Sequence, residues 1–169
     1  MSIMGMKTWI YYFTWFLRYF IEYAIVHLIC AAIFSASFKS VPYYIPLVVF
    51  LLFDILLIVQ NFFIQMFVTR SKIGIVFALL FFIAQYVIYY TVANNPDATV
   101  SIYRAVSIVP HIAFILAFKE MLYAESLRNV LTFTELVNKY TIVTCIVSLI
   151  LNIIFWGLLA MYFNEVFPN

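Results

Sequence analysis

Glycine is scarce in this sequence, which contains only three glycines in 169 residues. Gly5, Gly74 and Gly157 lie far apart from one another. A phosphate-binding P-loop needs two glycines in one short loop, followed directly by lysine, and a dinucleotide-binding fingerprint needs three glycines close together. The sequence therefore excludes both motifs, and the chain binds no nucleotide through either of them.

Charged residues are also scarce. They make up 9% of the chain, whereas 67% of the residues are hydrophobic and the mean hydropathy is +1.11. Soluble globular chains carry roughly 25% charged residues, so this composition indicates an integral membrane protein whose main partner is membrane lipid. The net charge of +2 is too small to indicate a nucleic-acid partner. Cys30 and Cys145 both lie within apolar runs, which indicates neither a disulfide framework nor a metal site, and no cofactor is expected in this chain.

Four apolar runs reach the length of about 20 residues that a helix needs to cross a bilayer. The residues between these runs are rich in proline, asparagine and basic side chains, which are typical of turns. The sequence therefore predicts an all-α, polytopic helical bundle over residues 1–169, with spans at about 9–38, 43–68, 73–93 and 140–163.

The segment between the third and fourth runs has a different pattern. Its apolar core, AVSIVPHIAFILAF, is shorter than a span, and Pro110 near its middle interrupts helix continuity. We therefore expect a re-entrant helical hairpin at about 100–125, with its turn at Pro110. The distribution of lysine and arginine instead favours a fifth span, because five spans would satisfy the positive-inside rule. From the residues alone, the choice between four and five spans stays open.

Polar side chains inside the predicted spans are candidate functional residues. Asp54, Asn61 and Gln65 fall on one face of the second span, and Arg18 and Glu22 in the first span are four residues apart, within pairing reach. A charge in hydrocarbon costs at least ~2.5–3.5 kcal/mol, so these groups should face protein or water. They either hydrogen-bond to neighbouring helices or line a translocation path. For Arg18 and Glu22, mutual pairing or snorkelling near the membrane surface is the favoured interpretation.

Histidine and hydroxyl side chains in the apolar segments have simpler interpretations. His27 and Cys30 have the spacing of two metal ligands, but no further ligand accompanies them, so we interpret both as packed side chains. We interpret His111 as a local feature of the turn after Pro110. A narrow stripe on the fourth span should hydrogen-bond to neighbouring helices; it consists of Thr141, Thr144, Ser148 and Asn152.

Three stretches of the chain resemble ATP-binding cassette transporters of subfamily A. The opening MSIMGMKTWIYYFTWFLR resembles the sequence after that family's cytoplasmic coupling helix: Met1, Ile3, Met4 and Gly5 match, and Met6 stands where leucine is usual. SIVPHIAF is similar to a family segment between the fifth and sixth spans. MYFNEVFPN is similar to the segment after the sixth span. The three stretches occur in the family's order along the whole chain.

The resemblance implies a function that the residues alone do not show. It implies four true spans, a pair of short helices that dip into the membrane between the last two of them, and cytoplasmic termini. It also implies lipid movement driven by ATP, with ATP and magnesium on a nucleotide-binding domain outside this sequence. Met1, Ile3, Met4 and Gly5 would couple the spans to that domain. The second half of the transmembrane assembly would be a further partner.

Two expectations about the chain as a whole follow from the resemblance. The sequence would be the C-terminal four-span portion of a longer transmembrane domain, and by itself it would not be an enzyme. An alternative of a different class is a small autonomous four-span protein that acts as a membrane scaffold or assembly subunit without transport activity. The span lengths suit both alternatives.

Overall fold

The computed structural model describes residues 8–67, 71–93, 95, 98–134 and 140–166, and within these ranges the chain is helical with no β-strand. Within these ranges, six α-helices follow one another. They are α1 (Thr8–Ser37), α2 (Tyr44–Phe67), α3 (Ser71–Ala93), α4 (Val100–Val106), α5 (Pro110–Leu127) and α6 (Ile142–Val166).

Four of the described helices are long and apolar enough to cross a membrane, and these are α1, α2, α3 and α6. The predicted all-α class and four long helices are therefore confirmed. The fourth helix extends further than predicted, since α6 continues through Asn164 and Glu165 to Val166. Helix α5 differs from these four helices in composition, because it carries several charged residues, including Lys119 and Glu120.

Pro110 divides the segment between the third and fourth long helices into two helices. It occupies the first turn of α5, where its fixed φ angle suits a helix and its missing N–H costs no helical hydrogen bond. Ser107 and Val109 form the turn that precedes it, with the N–H of Val109 donating to the carbonyl of Val106 over 2.9 Å. The predicted interruption at this proline is confirmed, whereas the position of the hairpin relative to a bilayer stays a prediction.

Helix α2 lies at the centre of the bundle. It packs against α1 on one side and α6 on another, and it also contacts α3 and α5. Its inward side chains Ile45, Val49 and Leu56 have no exposed surface. By contrast, most side chains of α1 and α3 are exposed. The core therefore forms where α2, α5 and α6 meet, and α1 and α3 lie at its periphery.

Small residues allow α5 to approach its neighbours closely. Ala113, Ala117 and Ala124 are all fully buried, and they alternate with the larger buried side chains of Ile112 and Leu116. Helices in lipid associate through close van der Waals contact, which small side chains permit. This explains how a helix that carries several charges can still pack against two apolar neighbours, α2 and α6.

Polar contacts connect neighbouring segments at each of the two ends of the bundle. At one end, the N–H of Ser40 donates to Oε2 of Glu125 over 2.8 Å, and the N–H of Leu131 donates to the carbonyl of Ser40 over 2.9 Å. At the other end, the Tyr12 hydroxyl donates to Oδ1 of Asn164 over 3.0 Å. The end of α5 therefore lies beside the loop that joins α1 to α2.

These end contacts predict the sidedness of the loops. In a variant with both native cysteines replaced by alanine, we expect single cysteines at Lys39, Asn95 and Arg128 to react with a membrane-impermeant maleimide from one side. A cysteine at Glu165 should react from the opposite side. The measurement is labelling of sealed vesicles before and after permeabilisation. Labelling of the Arg128 position from the Glu165 side would show that α5 crosses the membrane and would contradict this arrangement.

Candidate functional site

His27 and Asp54 form a buried polar contact between α1 and α2. Nδ1 of His27 lies 2.6 Å from Oδ1 of Asp54, which is within ion-pair distance. The Asp54 side chain is fully buried, whereas 25% of the His27 side chain is exposed. The His27 ring also lies 5.3 Å from the ring of Phe50. A carboxyl group buried among apolar helices needs a partner, and the short distance makes His27 the partner of Asp54, although the two atoms do not meet hydrogen-bond geometry.

The structure gives different surroundings to the three residues that share one face of α2. Asp54 is covered by α1, whereas Asn61 and Gln65 are exposed further along the helix. The interpretation of His27 as only a packed side chain is therefore incomplete, because its ring nitrogen lies beside Asp54. Cys30 is exposed, and the described residues contain no group of three potential metal ligands.

The predicted pairing of Arg18 with Glu22 is confirmed. Nε of Arg18 lies 3.1 Å from Oε1 of Glu22, and 62% and 52% of the two side chains are exposed. The Arg18 guanidinium also lies 5.3 Å from the centre of the Trp15 ring, a cation–π contact. The two charges thus satisfy one another on the outer surface of α1 rather than facing the bundle interior.

A second polar contact joins α3 to α5. Oε1 of Gln85 accepts from the backbone N–H of His111 over 3.3 Å and lies 2.8 Å from its Nδ1. Because this oxygen can only accept, Nδ1 of His111 carries the proton. His111 is therefore more than a feature of its own turn. The sequence analysis missed its partner, although Gln85 is the lone amide of the third span and could have indicated it.

A third polar contact joins the turn after α4 to α6. The hydroxyls of Ser107 and Ser148 lie 2.9 Å apart, and Nδ2 of Asn152 donates to the Ser148 carbonyl over 2.8 Å. The predicted interhelical hydrogen bond is confirmed at Ser148, whereas the bond from Asn152 to Ser148 lies within α6. Nδ2 of Asn152 also lies 3.5 Å from the Ser107 carbonyl. Thr141 and Thr144 instead contact each other, with 2.6 Å between their hydroxyl oxygens.

A groove of about 610 Å³ opens between α3, the turn at Pro110 and α6. Its wall is mostly apolar, with Ile88, Leu151 and Trp156 among the lining residues. Gln85 and Asn152 from the two contacts just described also belong to the lining. Ligand pockets commonly have volumes of about 300–1,000 Å³, so this groove is large enough to hold a ligand.

The proposed coupling residues Met1, Ile3, Met4 and Gly5 lie outside the described residues. Comparison with known proteins adds no assignment, since no protein-family model and no curated protein matches the chain.

The His27–Asp54 contact predicts an asymmetric response to substitution. His27→Leu leaves a buried carboxyl group without its partner and should lower the free energy of unfolding by about 3 kcal/mol. Replacing both residues by leucine should recover most of this loss, because apolar side chains often substitute well for a buried pair. Unfolding followed by circular dichroism in detergent measures both effects, with the exposed Cys30→Ala as the control. A double variant as unstable as the single one would contradict the pairing.

The contact between Ser107 and Ser148 predicts a smaller effect. Ser148→Ala removes one interhelical hydrogen bond and should lower the free energy of unfolding by about 0.6–2 kcal/mol. Ser126→Ala is a suitable control, because this exposed hydroxyl donates only to the carbonyl of Tyr123 within its own helix. Equal losses in the two variants, measured by the same unfolding assay, would show that the Ser107–Ser148 contact does not stabilise the bundle.

Proposed function

We propose that this chain is the membrane-spanning part of an ATP-binding cassette transporter of subfamily A. In the complete transporter it would move lipids across a membrane, using ATP hydrolysed by a separate nucleotide-binding domain. The chain would be a multi-pass membrane protein with α1, α2, α3 and α6 as its four spans. The three matching sequence stretches support this assignment.

The main structural observation in support of the proposal is the path that the α4–α5 pair takes through the bundle. The end of α5 contacts the α1–α2 loop through Glu125 and Ser40, whereas the turn between the two helices contacts Ser148 of α6. Ser148 follows the first residue of α6, Ile142, by six positions, which corresponds to about 9 Å along a helix axis. A bilayer core is about 30 Å thick, so the pair would enter the membrane and return without crossing it.

This path agrees with what the resemblance implies for the segment between the last two spans. A re-entrant pair of helices keeps the charged end of α5, with Glu125 and Arg128, at the membrane surface. A fifth span would instead carry Lys119 and Glu120 into hydrocarbon, which is costly. We therefore favour four spans, although the charge distribution of the sequence favours five.

The proposed mechanism assigns the residues before α1 to coupling. A nucleotide-binding domain would act on Met1 to Gly5, and α1 begins at Thr8, three positions after Gly5. Helix α1 packs chiefly against α2, with the His27–Asp54 contact between them, so a tilt of α1 would be passed to the central helix. The groove beside α3 and α6 would then change shape where it faces lipid.

Sequencing of full-length transcripts tests this proposal. We expect the reading frame to continue beyond Asn169 into a segment that encodes a P-loop, with two glycines five positions apart followed by lysine. Purified chain alone should hydrolyse no more ATP than empty liposomes. Stop codons that bound these 169 residues in the mature transcript would overturn the proposal and support the autonomous scaffold protein. Nucleotide hydrolysis by the isolated chain would contradict both alternatives.

A further inference from the structure

The groove between α3 and α6 opens sideways rather than towards the ends of the bundle. Leu151 and Phe155 of α6 are 61% and 55% exposed, and Ile88 of α3 is 41% exposed. These three residues belong to the groove lining and lie within the two apolar spans. A molecule dissolved in the bilayer could therefore reach the groove without passing through water.

The lining determines which kind of lipid the groove can hold. All of its described residues are uncharged, and the polar ones are Gln85, Ser148 and Asn152. A phosphate or carboxylate placed here would have no opposite charge from the lining, and an unpaired charge away from water is strongly unfavourable. The groove therefore favours an uncharged lipid over an anionic one.

Two residues of the lining carry hydrogen-bond donors without acceptors. Oε1 of Gln85 lies within hydrogen-bond distance of His111, whereas Nε2 of Gln85 makes no hydrogen bond with any described residue. The same is true of Nε1 of Trp156. Gln85 is only 4% exposed. Buried donors of this kind are stabilised when an acceptor reaches them.

We propose that this groove binds one molecule of an uncharged, ester-containing lipid such as a diacylglycerol. Its acyl chains would pack against the apolar wall of α3 and α6, and an ester or hydroxyl oxygen would accept a hydrogen bond from Gln85 or Trp156. Both nitrogens have almost no exposed surface, so the hydrogen bond requires a rotation of the Gln85 or Trp156 side chain towards the groove. The inference deepens the proposed function and rests on it for the fate of the bound lipid.

A lipid suits the groove better than a helix from another protein. The backbone carbonyls of a helix are already bonded within the helix, so a helix could satisfy Gln85 and Trp156 only through a side chain. An ester lipid presents several free acceptors next to a long apolar body. The combination of apolar walls with unpaired donors therefore favours the lipid.

Photo-crosslinking tests the inference directly. The purified full chain in phosphatidylcholine nanodiscs is exposed to a diacylglycerol with a diazirine in one acyl chain, in the absence of nucleotide. We expect saturable labelling of peptides from α3 and α6, and we expect unlabelled diacylglycerol to compete. A diazirine-bearing alkane, which has no oxygen, should label these peptides without saturation.

Three variants separate the hydrogen bonds from simple filling of the groove. Trp156→Phe keeps an aromatic ring but removes the N–H, and we expect the half-saturating diacylglycerol concentration to rise by about two- to tenfold. Gln85→Leu should shift it in the same direction. Gln60→Leu is the matched control, because Gln60 is also buried with an unbonded Nε2 but does not line the groove, and it should cause no shift.

Several results would overturn this inference. One is unchanged labelling in both Trp156→Phe and Gln85→Leu, and another is saturable labelling by the alkane probe. Stronger competition by phosphatidylserine than by diacylglycerol would also contradict an uncharged ligand. Because the assay contains no nucleotide or partner domain, failure of the transporter assignment leaves its expected result unchanged. The two proposals therefore fail independently.

Discussion

Polar side chains are costly among apolar helices when they lack partners, and contacts that supply partners from neighbouring helices organise the bundle. Each of three contacts links a different pair of elements. His27 with Asp54 links α1 to α2, and Gln85 with His111 links α3 to α5. The hydroxyls of Ser107 and Ser148 link the turn after α4 to α6. Since apolar side chains pack with lipid as readily as with one another, such contacts decide which faces meet.

Close packing around α2 supplies the remaining stability. The alanines of α5 allow its backbone to approach α2 and α6, and large side chains such as Leu56 and Met121 fill the space between them. Helices α1 and α3 have fewer apolar contacts, so each depends more strongly on its polar contact. The bundle thus has a tightly packed centre, and each of the two peripheral helices is attached to it partly through a polar contact.

The groove lies beside α3, the peripheral helix that is least firmly attached to the rest of the bundle. Helix α3 contacts α5 and α2, whereas Gln85 on α3 and Trp156 on α6 stand on opposite walls of the groove. A helix that is held by few contacts can shift at small energetic cost. The proposed lipid site therefore lies beside α3, whereas the proposed movement reaches it from α1 through α2.

The sequence determined the number and approximate position of the long helices, because an apolar run of sufficient length has few other stable structures. It also determined the break at Pro110 and the pairing of Arg18 with Glu22, since both depend on neighbours within one segment. The exposure of Asn61 and the burial of Asp54 were not predictable from helical spacing. Both residues lie on the same face of α2, and only the path of α1 decides which of them is covered.

The tertiary structure alone decided the partners of Asp54 and Gln85. His27 and His111 lie far from them in the sequence, and the choice depends on how the helices cross and on the depth at which each side chain sits. The groove likewise depends on the separation of α3 from α6, which no single segment encodes. The sequence therefore determined the elements and their local contacts, whereas the long-range packing of the helices decided the site.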